Sequence, residues 1–216
     1  METEKELRKE IVSTCLQMNR MGINQGTSGN VSVRWKGGML ISPSGLPYEE
    51  TSPEDIIYVD FSDNRTKGPH KPSSEWLFHR DILFERTDID AVVHTHSSYA
   101  TAMAIQRIDI PAHHYMVATA GGKKIQCAEY ATFGTQALSD NALKALGGRL
   151  ACLLANHGVI ALGGTLSKAL WLANEIETLA KQYFIASRYG KLIILPDDEM
   201  DRVLEGFKSY GPKPNR

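Results

Sequence analysis

Hydrophobic residues recur at helical spacing near both ends of the chain, whereas short apolar runs typical of buried strands fill its middle. Thr3 and Glu6 can form a capping box at the start of the first helix, whose apolar face continues to Met18. Apolar residues at i, i+3, i+4 and i+7 predict a last helix over residues 198–208. Between the apolar runs, turn signals such as Gly37-Gly38 favour hairpins.

These patterns predict which segments form helices and which form strands. Helices are expected over residues 3–20, 71–86, 98–105, 138–146, 166–189 and 198–208. Strands are expected over residues 31–35, 39–41, 56–61, 91–96, 125–128, 150–155 and 159–162. We therefore expect a single α/β domain over residues 1–216, in which helices cover a central, mostly antiparallel sheet.

Composition narrows the class of protein. The formal net charge of the 216 residues is −1, so we expect no nucleic-acid surface. The apolar runs are too short to cross a bilayer and the charged N-terminus is unlike a signal peptide, so we expect no membrane partner. Cys15, Cys127 and Cys152 are widely spaced in apolar surroundings, which predicts reduced thiols in a cytoplasmic protein.

Two histidines end the apolar run at residues 91–93. Successive side chains of a strand point to opposite faces, so His94 and His96 share one face and their rings can converge on one point. A third imidazole, His157, lies between two further apolar runs. Three histidines with an open fourth position predict a catalytic zinc site. The other histidines that we considered, His70, His79 and His113, are expected to be structural or exposed.

Three polar segments could bind an anion. Ser73 and Ser74 fall at the predicted start of a helix, where backbone N–H groups and hydroxyls suit a phosphate. The loops at residues 26–30 and 42–45 combine glycine with short hydroxyl or amide side chains, which also suits a phosphate. None of the three matches a nucleotide-binding fingerprint.

Taken in order, five motifs resemble those of the class II aldolase/adducin-head family. The motifs are Asn24-Gln25-Gly26-Thr27-Ser28-Gly29-Asn30-Val31-Ser32, Pro72-Ser73-Ser74-Glu75, His94-Thr95-His96, Ala131-Thr132-Phe133-Gly134-Thr135 and Asn156-His157-Gly158. The resemblance covers nearly the full length of the chain. Each motif is weak alone, and their ordered combination is highly specific.

The resemblance implies a role for each matching residue. His94, His96 and His157 match the ligands of one Zn²⁺ per subunit, and Glu75 matches a fourth ligand that then serves as acid/base. Tyr115 matches a tyrosine presented to the active site of the neighbouring subunit. A homotetramer with active sites at its subunit interfaces is therefore expected.

The resemblance also implies a substrate pocket. Its phosphate end matches Gly29, Asn30, Ser44, Gly45, Ser73 and Ser74, and its aldehyde end matches Phe133, Phe207 and Tyr210. The sequence departs from the family pattern with Ser44 in place of threonine, Ser28 in place of alanine and Glu129 in place of proline. Ser44 keeps the hydroxyl that phosphate binding requires.

The implied activity is cleavage of L-fuculose 1-phosphate, or a related ketose 1-phosphate, to dihydroxyacetone phosphate and L-lactaldehyde. Such cleavage needs an electron sink, which is either a lysine Schiff base or a metal that stabilises the enediolate. Lys123 and Lys124 lie in a glycine-flanked turn, which is a poor place for a desolvated amine. The metal is therefore the expected sink.

Three alternatives stay open at this point. L-ribulose-5-phosphate 4-epimerase is disfavoured because residues 110–116 look like the aldolase version of that segment. A methylthioribulose-1-phosphate dehydratase is excluded less firmly. A metal-free, adducin-like interaction module is the third, and the three histidines together with Glu75 speak against it.

Overall fold

The computed structural model describes residues 3–208, and these form a three-layer α/β domain. Six α-helices cover a sheet of eight strands in this part of the chain. The helices are α1 (Glu4–Arg20), α2 (Trp76–Glu85), α3 (Ser98–Ile105), α4 (Gln136–Leu146), α5 (Leu166–Ser187) and α6 (Asp197–Phe207). The strands are β1 (Asn30–Trp35), β2 (Gly38–Ile41), β3 (Ile57–Asp60), β4 (Thr66–Lys67), β5 (Ala91–Thr95), β6 (Cys127–Ala128), β7 (Ala151–Leu154) and β8 (Gly158–Gly163).

The sheet has the strand order β4-β3-β2-β1-β5-β8-β7-β6. Each neighbouring pair is antiparallel except β6 and β7, which are parallel. The predicted mostly antiparallel sheet covered by helices is therefore confirmed. Among residues 3–208, each helix is too short or too polar to span a bilayer.

Apolar side chains fill both faces of the sheet. On one face, residues such as Leu7 of α1 and Ile176 of α5 pack against Val93 and its neighbours. On the other face, Phe78 of α2 belongs to a separate cluster with Val92. Because alternate residues of β5 point to opposite faces, the central strand is buried on both sides as far as its polar end.

The predicted capping box of α1 is present, since Thr3 accepts a hydrogen bond from the backbone of Glu6 and the Glu6 carboxylate accepts one from the backbone of Thr3. Helices α3 to α6 lie within two residues of their predicted bounds. The short strand β4 and two 3₁₀ helices, Pro53–Asp55 and Tyr115–Ala120, had no sequence signal that we recognised.

The predicted start of α2 was wrong. The helix begins at Trp76, five residues later than expected, because residues 71–73 pair with the loop after β2. Ser73 N–H donates to the Ser42 carbonyl over 3.0 Å, and Ser44 N–H donates to the Lys71 carbonyl over 3.0 Å. The Lys71 carbonyl, which would accept a hydrogen bond in the first turn of a helix starting there, is thus already used.

Candidate metal centre and active site

Four side chains converge at one end of the central strands. Glu75, His94, His96 and His157 each offer one ligand atom, and these atoms all lie within 4.8 Å of one another. The three imidazole ring centroids are 4.9 Å apart in every pair. The structure thus brings together all four residues to which the resemblance assigned metal ligation.

His94 is the most deeply buried member of the cluster, and strand β5 holds it. It lies on the same face of β5 as Val92, under helix α2, where its ring meets Phe78 edge-on at 5.4 Å. Its Nδ1 lies 2.8 Å from the carbonyl oxygen of Val159. A carbonyl only accepts, so Nδ1 carries a proton and Nε2 is the nitrogen that faces the cluster and would bind a metal.

His96 lies one residue beyond the end of β5, so the predicted strand was one residue too long. The backbone N–H of His96 donates to Oδ1 of Asn24 over 3.3 Å, and the same oxygen accepts the hydroxyl of Ser28. His96 Nε2 lies 3.0 Å from His94 Nε2. Burial, with the nearby His94, lowers the pKa of His96 to about 3, so the ring is neutral and able to ligate.

His157 reaches the cluster through an unusual turn between β7 and β8. Asn156 has a φ of 54°, a left-handed conformation that Asn tolerates better than most residues. A Cβ at Gly158 would collide with the carbonyl of Thr95 and lie 3.2 Å from Cε1 of His94. The Asn-His-Gly sequence therefore has a steric reason, because only glycine lets β8 approach β5 this closely beside the imidazoles.

Glu75 occupies the N-cap position of α2, but its carboxylate faces the histidines instead of capping the helix. Oε2 lies 3.1 Å from His94 Nε2 and accepts a 3.0 Å hydrogen bond from Asn30 Nδ2. Oε1 lies 3.0 Å from His157 Nε2. Burial opposes ionisation, but the closeness of the His94 and His157 imidazoles outweighs it and lowers the pKa of Glu75.

The residues present fit a divalent metal. Three imidazole nitrogens and a carboxylate are a common donor set for zinc. Glu75 Oε1 is buried without a hydrogen-bond donor, and a cation would satisfy it. The closest donor pairs are 3.0 to 3.1 Å apart, slightly less than the roughly 3.3 Å between ligands of a tetrahedral zinc.

A cavity of about 400 Å³ opens beside the cluster. Four of the residues that the resemblance assigned to substrate line it, namely Ser44, Gly45, Ser74 and Phe133. Five further lining residues were not predicted as site residues: Thr27, Ser28, Tyr130, Ala131 and Asn156. Hydroxyl-bearing side chains and aromatic rings therefore both line the cavity.

Gly29, Asn30 and Ser73 are buried next to the cluster and support it. A Cβ at Gly29 would lie 2.6 Å from the carbonyl oxygen of His94, so glycine is required for β1 to pass this close. The Asn30 amide binds Glu75, as described above. Ser73 Oγ accepts the backbone N–H of Glu75 over 3.3 Å, which holds the start of α2.

Tyr115 and Phe207 lie together, outside the residues described as lining this cavity. Tyr115 opens a 3₁₀ helix, is half exposed and stacks on Phe207 with ring centroids 6.4 Å apart. The predicted site residue Tyr210 lies outside the described residues. An exposed tyrosine away from the cavity of its own chain is the arrangement expected of a residue that serves a neighbouring subunit.

The remaining histidines differ in their surroundings. His70 is exposed and pairs with Asp55, and His113 is half-buried with its Nδ1 2.9 Å from the Pro111 carbonyl oxygen. His79 is fully buried and forms a hydrogen bond with Asn30, a residue next to the cluster. The sequence pattern did not reveal this connection between His79 and the site.

Both lysines that we considered as amine catalysts are committed to ion pairs. The Lys123 ammonium lies 2.8 Å from Asp201, and the Lys124 ammonium lies 2.7 Å from Asp109. The hydrogen bond with Asp201 raises the pKa of Lys123 and so favours its charged form, whereas Schiff-base formation requires a neutral amine. The cluster of histidines is therefore the better candidate for the electron sink.

Comparison with known proteins agrees with this geometry. A family model described as the class II aldolase and adducin N-terminal domain matches residues 9–184. A 5-methylthioribulose-1-phosphate/5-deoxyribulose-1-phosphate aldolase of Rhodospirillum rubrum is 53% identical over 205 residues, 95% of this chain and 92% of that protein. An L-fuculose phosphate aldolase of Escherichia coli strain K12 is 49% identical over 207 residues, 95% of this chain and 96% of that protein.

A solved structure of an L-fuculose 1-phosphate aldolase superposes with a TM-score of 0.90 at 42% identity, covering 94% of this chain and 96% of that one. The chain belongs to the class II aldolase and adducin N-terminal domain family. Within that family its class is that of the class II aldolases, lyases that cleave a carbon–carbon bond with the help of a metal ion.

Proposed function

We propose that this enzyme is a zinc-dependent aldolase that cleaves L-fuculose 1-phosphate, or a ketose 1-phosphate with a similar apolar end, to dihydroxyacetone phosphate and an aldehyde. The observation that carries the proposal is the set of three imidazoles and Glu75 at the cavity. His94, His96 and His157 would hold the metal and leave it its full positive charge, because neutral imidazoles contribute none.

The phosphate would bind against the hydroxyl-bearing residues that line the cavity. Ser44, Gly45 and Ser74 are among the lining residues, and α2 begins two residues after Ser74. Gly45 has a φ of 70° and open space around its Cα, so the backbone can approach a ligand there. We propose that the buried residues Gly29, Asn30 and Ser73 complete this phosphate pocket.

When bound, zinc supplies a Lewis acid that takes up the negative charge developing next to the ketose carbonyl. Tyr115 of a neighbouring subunit would pass the proton of the C4 hydroxyl to solvent as the C3–C4 bond breaks. Glu75 would take up a proton from solvent and deliver it to C3, so the substrate loses one proton and gains one. The contacts with His94 and His157 lower the pKa of Glu75 and burial raises it, so turning away from the histidines makes this carboxyl a better proton carrier.

The aldehyde end of the substrate would meet Tyr130, Ala131 and Phe133, which line the cavity. We propose that Phe207 and Tyr210 belong to the same end. An apolar wall suits the terminal methyl group of L-fuculose 1-phosphate, and it equally suits a 5-deoxy or methylthio group. The relatives named for fuculose phosphate and for methylthioribulose 1-phosphate support this range of substrates.

We further propose that residues 1–216 act as one domain in a cytoplasmic homotetramer, with each active site completed across a subunit interface. Its three cysteines are free thiols, which suits a reducing compartment. The exposed Tyr115, stacked on Phe207 and outside the cavity lining, supports completion of the site by a neighbouring subunit.

Steady-state cleavage of a matched set of substrates tests the proposal. The set is L-fuculose, ribulose, 5-deoxyribulose and methylthioribulose 1-phosphates, with release of dihydroxyacetone phosphate as the common readout. We expect the highest kcat/KM for substrates with an apolar end, and complete loss of cleavage after dialysis against EDTA with recovery on adding Zn²⁺. No release of dihydroxyacetone phosphate from any of the four, or cleavage that survives EDTA, would overturn it.

A further inference from the structure

A row of buried polar side chains runs behind Glu75, between strand β1 and helix α2. Ser32 Oγ lies 2.7 Å from Nδ1 of His79, and Nε2 of His79 lies 2.5 Å from Oδ1 of Asn30. The Asn30 amide nitrogen then donates to Glu75 Oε2 over 3.0 Å. Ser32 and His79 are fully buried, so water cannot replace either partner.

The carboxylate end fixes the direction of every hydrogen bond in this row. An ionised carboxylate only accepts, so Asn30 must turn its NH₂ group to Glu75 and its Oδ1 to His79. Because Oδ1 also only accepts, Nε2 of His79 must carry a proton. Burial lowers the pKa of His79 to about 3, so the ring is neutral and Nδ1 accepts the hydroxyl proton of Ser32.

We propose that His79 is a positioning residue for Glu75: its Nε2–H holds the Asn30 amide in the one orientation that donates to the carboxylate. Without that donor, the amide of Asn30 could rotate by half a turn. Its oxygen would then face Glu75 Oε2, and two acceptors would oppose each other in a buried site. The carboxylate would lose the side-chain amide that binds it, and with it a fixed direction towards the histidine cluster.

Two variants of His79 separate this role from simple core packing. His79→Leu removes the donor, whereas His79→Gln can place an amide N–H near the position of Nε2 and keeps it. Ile82→Ala, at a fully buried apolar position one turn along α2, is the control for a general loss of stability. Thermal unfolding of all three variants establishes that each one folds.

We expect His79→Leu to lower both kcat and the Zn²⁺ affinity by about 10- to 100-fold, the usual effect of losing a partner that orients a metal ligand, with KM little changed. His79→Gln should recover most of both losses, and Ile82→Ala should change neither. Zinc affinity is measured by competition with a chromophoric chelator. In ¹⁵N-histidine spectra of the zinc-loaded protein, the signals lost in His79→Gln should be those of a neutral ring protonated at Nε2.

The turnover measurement rests on the proposed function, whereas the ring tautomer and the zinc affinity do not. If the wild-type enzyme cleaves no ketose 1-phosphate, the proposed reaction fails and these two measurements still test the role of His79. A proton on Nδ1 would overturn the inference. So would wild-type kcat and zinc affinity in His79→Leu, or equal losses in the Leu and Gln variants.

Discussion

His94 lies with Nδ1 2.8 Å from the carbonyl oxygen of Val159 on the adjacent strand β8. The pairing of β5 with β8 therefore does more than build the sheet, because it selects which nitrogen of His94 is protonated. With Nδ1–H committed to Val159, Nε2 is the nitrogen that faces Glu75 and His96 and would bind the metal. The position of β8 is thus part of the candidate metal centre.

Gly158→Ala should disturb the candidate metal centre by changing how closely β8 approaches β5. The new Cβ would collide with the carbonyl of Thr95 and lie 3.0 Å from Cδ2 of His96, so β8 or the imidazoles must move. We expect weaker zinc binding and a loss of about 1 to 3 kcal/mol in the free energy of unfolding. Metal content after dialysis and urea denaturation measure the two effects.

Gly164→Ala is the matched control, since a Cβ there meets nothing within 4 Å. It lies just after β8 and should leave metal content and stability unchanged. If Gly158→Ala retains metal and stability as well as Gly164→Ala does, the close approach of the two strands is not what holds the imidazoles.

Glu75→Gln should abolish turnover while the protein still binds metal. The amide keeps the size of the carboxylate but carries no proton that it can transfer, and removal of a general acid/base typically costs about 10²- to 10⁴-fold in rate. His94, His96 and His157 would remain to hold zinc. Metal analysis of the purified variant, alongside kcat, separates the two roles of Glu75, and unchanged turnover would remove its acid/base role.

The local part of the site could be predicted from the sequence. His94 and His96 are two residues apart at the end of an apolar run, and strand alternation alone places them on one face. The capping box of Thr3 and Glu6 is equally local, because both hydrogen bonds join residues three positions apart. Such features depend on short spacings, which the sequence displays directly.

The long-range part could not be predicted in this way. The late start of α2 depends on the pairing of Ser73 with Ser42, and the role of His79 depends on Asn30, which lies 49 positions away. A serine or a histidine does not indicate its distant hydrogen-bond partner, because a buried and an exposed histidine look alike in a sequence. Only the structure shows which residue each one binds.

Stability of the metal-free protein should fall as the pH is lowered. His79 and His96 have ordinary pKa values of 6.5 that burial lowers to about 3 in the folded chain, so below pH 6.5 the unfolded chain binds protons that the folded chain does not. The lowered pKa of Glu75 acts in the same direction below pH 4.5. Urea denaturation from about pH 7.5 to about pH 5 should show a steady fall in the free energy of unfolding, and the fall should be smaller in His79→Gln. A free energy of unfolding that does not change over this range would contradict the prediction.

Tyr115→Phe should slow cleavage with little change in KM, since it removes the hydroxyl that we propose acts on the C4 oxygen and leaves the proposed phosphate pocket intact. Tyr115 is half exposed and does not line the cavity of its own chain, so the active site of a chain that lacks Tyr115 should be completed by a neighbouring chain that has it.

Equal amounts of Tyr115→Phe and Glu75→Gln chains, mixed and reassembled, should therefore restore about a quarter of wild-type activity. That is the fraction of sites in a cyclic tetramer in which an intact Glu75 meets an intact Tyr115 of the neighbour. Each variant reassembled alone is the control. Failure of the mixture to exceed both controls, with subunit exchange verified by mass, would mean that Tyr115 does not serve a neighbouring subunit.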